Sequence, residues 1–164
     1  MIRAAALAVM LLLGGCTLRP LYGGGGDGAV ATTLRSVDVA PIEGRAGWLV
    51  RTALEDRLGA TGEAARYRLQ IELDDDITGF GIRPDNAVTR ERRSLRARYQ
   101  LVDASLGTVV LDATAGSDAG IDVLSSEYAT VAAEQTALER LAQEVADQIV
   151  SRVALYVART GEGQ

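Results

Sequence analysis

The sequence predicts an α+β fold, a two-layer sandwich in which a four-stranded mixed sheet carries two helices on one face, in the order β-α-β-β-β-α. Three observations predict it. Tyr67 to Asp74 alternates apolar and polar residues without a break, and two later segments, around Tyr99 and Leu111, do the same. The last third of the chain places aliphatic residues at three- and four-residue steps. A period of two marks a strand with one buried and one wet face, and a period near 3.6 marks an amphipathic helix. One-sided strands need a cover, and the two helices supply it.

The chain opens with Arg3 and an apolar stretch from Ala4 to Leu13. A membrane-spanning helix needs roughly 20 apolar residues, whereas about ten suits the hydrophobic region of a secretory leader. The stretch runs into Leu13-Gly14-Gly15-Cys16, which resembles a bacterial lipoprotein signal: an aliphatic residue, two small ones, then the thiol that is lipidated. Residues 1–15 are expected to be a signal peptide. Cys16 is expected to carry a diacylglycerol and an N-acyl chain such as palmitate. Thr17, rather than an aspartate, follows the cysteine, which resembles lipoproteins sorted onward to the outer membrane. An uncleaved anchor with an accidental cysteine is the alternative.

Residues 16–33 then read as the lipidated cysteine and a flexible tether, from Pro20 and the glycines of Gly23 to Gly28. A domain is expected over 34–160 and a frayed tail over 161–164. Leu34 to Ile42 predicts a first strand, with Val37 and Val39 facing inward and Pro41 near its end. Trp48 to Leu58 has helical spacing, with Leu49, Val50, Ala53, Leu54 and Leu58 on one stripe and Gly59 as a stop. Trp48 reads as core or rim packing, with an interface anchor as the other reading.

Tyr67, Leu69, Ile71 and Leu73 predict the inner face of the second strand. A loop holding Gly79, Gly81 and Pro84 is expected next. Leu95, Ala97, Tyr99 and Leu101 line the third strand, Asp103 to Gly107 forms a hairpin turn, and Val109, Leu111 and Ala113 line a fourth strand over 108–114. Ala115 to Val123 either prolongs that strand or forms its exit. The closing helix is predicted over 130–159, with Thr130 as cap and a stripe of Leu138, Leu141, Val145, Ile149, Val153 and Tyr156. It would be about 45 Å long at 1.5 Å per residue, enough to project beyond the sheet. A crossover through the first helix makes the first two strands parallel if they pair.

Composition narrows the chemistry. The 164 residues suit one domain, and 48% hydrophobic against 24% charged residues excludes global disorder. Aromatics are only 4%, so aliphatic side chains fill the core. There is no histidine, and Cys16 is the sole cysteine. Catalytic triads, Cys-His pairs and His/Cys zinc sites are thereby excluded, and no intrachain disulfide forms. A net charge of -5 disfavours nucleic acid as a partner. Asp74-Asp75-Asp76 reads as a solvated strand end, or less simply as a cation site without the spacing of a calcium loop. An enzyme acting through carboxylates alone remains the non-binding alternative, and it needs two acids converging in a pocket.

A lipidated cysteine followed by Arg19-Pro20-Leu21-Tyr22-Gly23, then this strand and helix order, resembles the LptE family of lipopolysaccharide-assembly lipoproteins, in its alphaproteobacterial form. The run from Ser126 to Thr130 ahead of the last helix is similar to that branch as well. The resemblance implies a non-enzymatic protein without a cofactor beyond the lipid on Cys16. It implies lipid anchoring on the periplasmic side of the outer membrane. It also implies two partners, the LptD β-barrel and lipopolysaccharide (LPS). An auxiliary lipoprotein of an ABC-type envelope lipid transport system is the alternative with a similar anchor and domain.

The residues themselves offer one candidate binding feature. Arg90, Arg92, Arg93, Arg96 and Arg98 crowd one segment of an otherwise acidic chain. On a strand, Arg90, Arg92, Arg96 and Arg98 share the solvent face, and Arg93 lies opposite with Leu95. Guanidinium groups grip phosphate oxygens in pairs, and lipid A carries phosphates. Two other readings stand beside that one: a charged face balanced by Glu72 and Asp74, or contacts to the barrel wall.

Overall fold

In the computed structural model, residues 28–59, 65–82, 88–123 and 125–161 are described. They form α1 (Ala29–Arg35), β1 (Val37–Val39), α2 (Gly44–Leu58), β2 (Tyr67–Ile82), β3 (Val88–Asp103), β4 (Val109–Asp122) and α3 (Glu127–Gly161). The leader, Cys16 and Arg19 to Gly23 lie outside these residues. One sheet holds the strands in sequence order. β1 runs parallel to β2, as the crossover predicts, and β2–β3 and β3–β4 are antiparallel. The α+β sandwich predicted from periodicity is the fold observed, with α1 added in front.

That added helix changes the reading of the first segment. Ala29 to Thr33, expected as tether, are helical, and Leu34 enters the core from α1 rather than from a strand. Val30 and Leu34, one turn apart, form the packing stripe. The first strand is accordingly short. Ala40 N–H still donates to Leu69 O at 2.9 Å, and Pro41, with no N–H to give, follows at once.

The alternating strands behave as their patterns require. Leu69, Leu95, Ala97, Tyr99 and Leu101 are buried beneath the helices. α2 contributes Val50, Ala53, Leu54 and Leu58, and α3 contributes Leu141, Val145, Ile149 and Val153. Buried alanines occur on both layers, Ala97, Ala115 and Ala119 on the sheet and Ala142 and Ala146 on α3, and small side chains allow close packing of layers. Arg57 ties the two helices together, donating to Asp147 at 2.5 Å and Gln143 at 2.7 Å. α2 stops at Gly59, whose N–H reaches Glu55 O at 3.0 Å.

Several expected boundaries move. β2 continues through Gly79 to Ile82, so the two glycines belong to a strand and not to a loop. The reason is pairing: Thr78 and Gly79 oppose Arg92 and Glu91 on β3, and ladder bonds offset the entropic cost of glycine. β4 likewise runs on to Asp122. At its start the register slips, with Leu101 opposite Leu111 but Val102 opposite Val109. The extra residue, Val110, reverses the alternation there. Val109, expected inside, is therefore half exposed, and Ala115, Ala119 and Ile121 supply the buried side farther along. The turn between β3 and β4 is the predicted one. Asp103 N–H donates to Thr108 O, and Gly107 adopts φ +67°, a left-handed conformation that costs glycine nothing.

α3 begins at Glu127, not Thr130. Ser126 takes the capping place, its carbonyl accepting from the N–H groups of Ala129 and Thr130 at 3.1 Å, while Thr130 is buried. At 35 residues the helix is about 52 Å long, and the 16 residues of β2 or β3 extend to about the same length. The helix that looked too long for its domain matches strands longer than the alternation alone revealed. Trp48 is 64% exposed and packs in no core, because its position on α2 falls outside the stripe of Gly47, Val50 and Leu54.

Candidate functional site: the arginine column

The outer face of the sheet, the one without helices, is built from the even-numbered residues of β2 and β3 and their partners on β4. Arg90, Arg92, Arg96 and Arg98 stand in one column down β3, with Glu72, Asp74 and Asp76 on β2 to one side. Asp112, Asp118 and Asp122 on β4 lie to the other side. The four arginines are exposed. The sequence places them on one face, and the fold does the same.

Their ion pairs run towards β4. Arg96 Nη2 contacts both oxygens of Asp118 at 2.8 and 2.9 Å, Arg98 reaches Asp112 at 3.2 Å, and Arg90 reaches Asp122 at 3.0 Å. Gly116 makes the first of these possible. A Cβ there would meet Arg96 Cδ at 2.5 Å, so only glycine lets the arginine stem cross β4 flat. Asp118 is held below the usual carboxylate range by hydrogen bonds from Ser94 and then Arg96. Asp112 is lowered in the same way by Arg98 and Gln100. Glu72 and Asp74, expected to balance the column, make no ion pair among the described residues: the bonds of Arg96 and Arg98 go to Asp118 and Asp112, and Glu72 acts on Arg98 only at a distance. Exposed pairs of this kind hold side chains in place and add little stability.

Arg92 is the exception in the column. It lies between Thr78 and Gly120, neither of which is charged, and space above Gly120 is open. Among the described residues its side chain makes no hydrogen bond or ion pair, and it acts only at a distance on Asp118. A shallow trough of about 740 Å³ runs across the same face between Glu72, Asp74, Arg96, Arg98, Thr114 and Gly116.

Arg93 stands apart on the helix side. It grips Asp75 with two parallel bonds of 2.6 and 2.8 Å and donates to the Glu134 backbone carbonyl at 3.0 Å. Its side chain is only 12% exposed, so it fastens the β2–β3 hairpin to α3. The bonds to Asp75 raise its pKa further above the ordinary arginine value. Close by, burial raises the pKa of Glu91, and the neighbouring Glu134 adds to the shift. Asp75 is thus committed to Arg93, while Asp74 and Asp76 point to the outer face. The three aspartates do not converge, and no group of three or more potential metal ligands occurs among the described residues. Replacing Arg93 with methionine is expected to lower stability by about 2 kcal/mol, because Asp75 and the Glu134 carbonyl lose a charged partner in a sheltered place. Chemical denaturation checks the figure, and a change within error removes the fastening role.

One feature escapes the sequence pattern. Phe80 and Ile77 on β2 are exposed by 45% and 39%, and Tyr128 and Val131 at the start of α3 by 85% and 42%. β4 ends opposite Arg90, and α3 starts five residues later, so these side chains gather at the end of the molecule that also carries Arg90 and Arg92. Isolated apolar residues such as Phe80 between Gly79 and Gly81 give no periodic signal, and only the strand order and register place them at one end. No helix among the described residues is long and apolar enough to cross a membrane.

Known proteins share this architecture. A protein from Caulobacter crescentus CB15 described as a lipoprotein superposes with a TM-score of 0.67 at 29% identity, over 79% of this chain and 96% of its own. A minor lipoprotein from Acinetobacter baumannii gives 0.58 at 14% identity, over 74% and 92%. The rare lipoprotein B from Shewanella oneidensis gives 0.53 at 12% identity, over 77% and 96%; these last two show the fold alone. No curated protein matches the sequence. The model of the LptE family, lipopolysaccharide-assembly, matches residues 34–153, which is most of the described domain, and the chain therefore belongs to the LptE family of envelope-associated, non-catalytic lipopolysaccharide-assembly lipoproteins.

Proposed function

We propose that this protein is the lipoprotein subunit of an LPS translocon, anchored through acylated Cys16 on the periplasmic side of the outer membrane. There it sits against an LptD-type β-barrel, assists its assembly, plugs it, and presents the face of Arg90, Arg92, Arg96 and Arg98 to LPS phosphates. The observation that carries the reading is the arginine column with its one unengaged member. Arg92 is free to take a phosphate without first giving up a carboxylate, and its neighbours must exchange an aspartate for the ligand. The exposed Phe80, opposite Arg90 on the same face, offers apolar contact beside charged contact, and Ile77, Tyr128 and Val131 add exposed apolar surface at that end. That combination suits a lipid bearing both acyl chains and phosphates.

Changing Arg90, Arg92 and Arg96 together to glutamine is expected to weaken LPS binding by about tenfold or more, given the strength of charge-assisted bonds. Fold stability should change little, since exposed pairs add little to it. Arg92→Gln alone should account for most of the loss. Binding of purified LPS that is equal in the triple variant and the unaltered protein would sink the phosphate-gripping role. Co-purification of a large β-barrel tests the partnership separately, and recovery of inner-membrane lipid-transport components instead would favour the ABC-type reading.

A further inference from the structure

The two edges of the sheet are finished differently. On β4 the free edge is closed at its middle by a side chain of α3. The Gln148 amide accepts from Gly116 N–H and donates to Gly116 O, both at 3.1 Å, as a neighbouring strand would. Ser117 beside it bonds Glu144. On β2 nothing comparable occurs. β1 covers only Tyr67 to Leu69, and the last backbone bond along that side is Ala40 N–H to Leu69 O. Because Leu69 O points to β1, the outward groups beyond it belong to Ile71, Leu73, Asp75, Ile77 and Gly79. Among the described residues none of these backbone groups has a partner on that side. About 30 Å of strand edge is open, at 3.3 Å per residue.

We propose that this edge of β2 receives an extended protein segment as an added strand, continuing the line of β1, and that the segment carries basic residues at alternate positions. The chemistry of the neighbouring side chains selects it. Glu72, Asp74 and Asp76 form a column of exposed carboxylates along the outer face of β2. Arg96 and Arg98 across the strand bond Asp118 and Asp112 instead, so Arg98 acts on Glu72 only at a distance, and among the described residues Asp76 takes a hydrogen bond only from Thr78. An incoming strand places every second side chain beside that column, where guanidinium or ammonium groups are favoured. Its other face lies next to the half-buried Ile71 and Leu73 and the exposed Ile77, where aliphatic residues fit. A cavity of about 290 Å³ lined by Ala40, Pro41, Gln70, Ile71 and Glu72 opens where β1 stops, which gives the segment a place to enter. A second copy of this chain pairing edge to edge would set the same carboxylates against one another. The inference does not depend on LPS binding, since it uses the opposite side of the arginine column.

The test uses the full chain in non-ionic detergent and two synthetic hexapeptides, one alternating arginine with valine and one alternating glutamate with valine. Amide hydrogen exchange is read residue by residue. The basic peptide is expected to slow exchange about tenfold or more at Ile71, Leu73, Asp75 and Ile77, and to leave the β4 edge unchanged. The acidic peptide should do nothing. A triple variant, Glu72→Gln, Asp74→Asn and Asp76→Asn, should keep its fold and lose the preference. Protection by both peptides alike would overturn the basic partner. Binding of the basic peptide without protection of these amides would mean a counterion on the face and would overturn strand addition. Protection arising from self-association without any peptide would replace the proposed segment with a second copy. LPS binding measured in the same triple variant separates failure here from failure of the arginine column, which the variant leaves intact.

Discussion

Replacing Cys16 with alanine, in a chain exported behind an ordinary cleavable leader, is expected to move the protein from the membrane pellet to the soluble fraction. Each methylene buried in a bilayer contributes roughly 0.8 kcal/mol, so one acyl chain binds reversibly and several bind firmly. Nothing in the described domain replaces that energy. No helix there crosses a membrane, and the exposed apolar residues at the hairpin end are few. Thermal unfolding of the released protein should match that of the lipidated form, because the core from Leu34 to Val157 makes no use of the anchor. Fractionation and a melting curve on the same sample check both halves. A variant that stays tightly membrane-bound would show that the attachment lies elsewhere.

The second large effect concerns the core. Leu141→Ala is expected to cost about 3 kcal/mol and to lower the melting temperature by about 10 °C. Leu141 is fully buried on α3, the helix that packs against both the sheet and α2. Many other buried residues of the same core, Ala142, Ala146 and Ala97 among them, are already small, so little side chain is available to collapse into the space left behind. Leu155, on the same helix but 38% exposed, is the natural control, and its alanine variant should change stability by less than about 0.5 kcal/mol. Denaturant titration of the two variants decides the matter. Equal losses would mean that α3 packs less tightly than its buried stripe indicates.

These effects bear on how the subunit works. A sheet backed by two helices gives the domain a stiff body, which the lipid proposed at Cys16 would confine to a bilayer surface. Along that body the chemistry is segregated. One face buries aliphatic side chains, the other alternates columns of carboxylate, guanidinium and carboxylate, and one end carries the exposed Phe80 and Tyr128. The proposed ligand and the proposed strand partner use adjacent columns of the same outer face. Occupancy of one can therefore alter the side-chain arrangement of the other without any movement of the backbone.

Most of the fold was legible from the amino acids alone. Alternation in Tyr67 to Asp74 and around Tyr99 assigns each side chain to a face, because a strand has a period of two whatever it pairs with. The stripe from Leu138 to Val153 identifies the last helix for the analogous reason. The placing of Arg90, Arg92, Arg96 and Arg98 together, with Arg93 on the other side, follows from the same parity. Boundaries were less legible. Gly79, Gly81 and the run from Ala115 onward carry weak local preference, and pairing with β3 made strands of them.

What the tertiary structure alone decided is which neighbour each group meets. Parity assigns Arg96 and Arg98 to the outer face, but register and the space above Gly116 turn them to Asp118 and Asp112 rather than to Asp74 and Glu72. The slip at Val110 put Val109 outside, and Gln148, far along the chain, closed one sheet edge while no described residue closed the other beyond β1. The physical reason is range. A residue's face is set by dihedral angles within its own segment, whereas its partner is set by distances between segments remote in the chain.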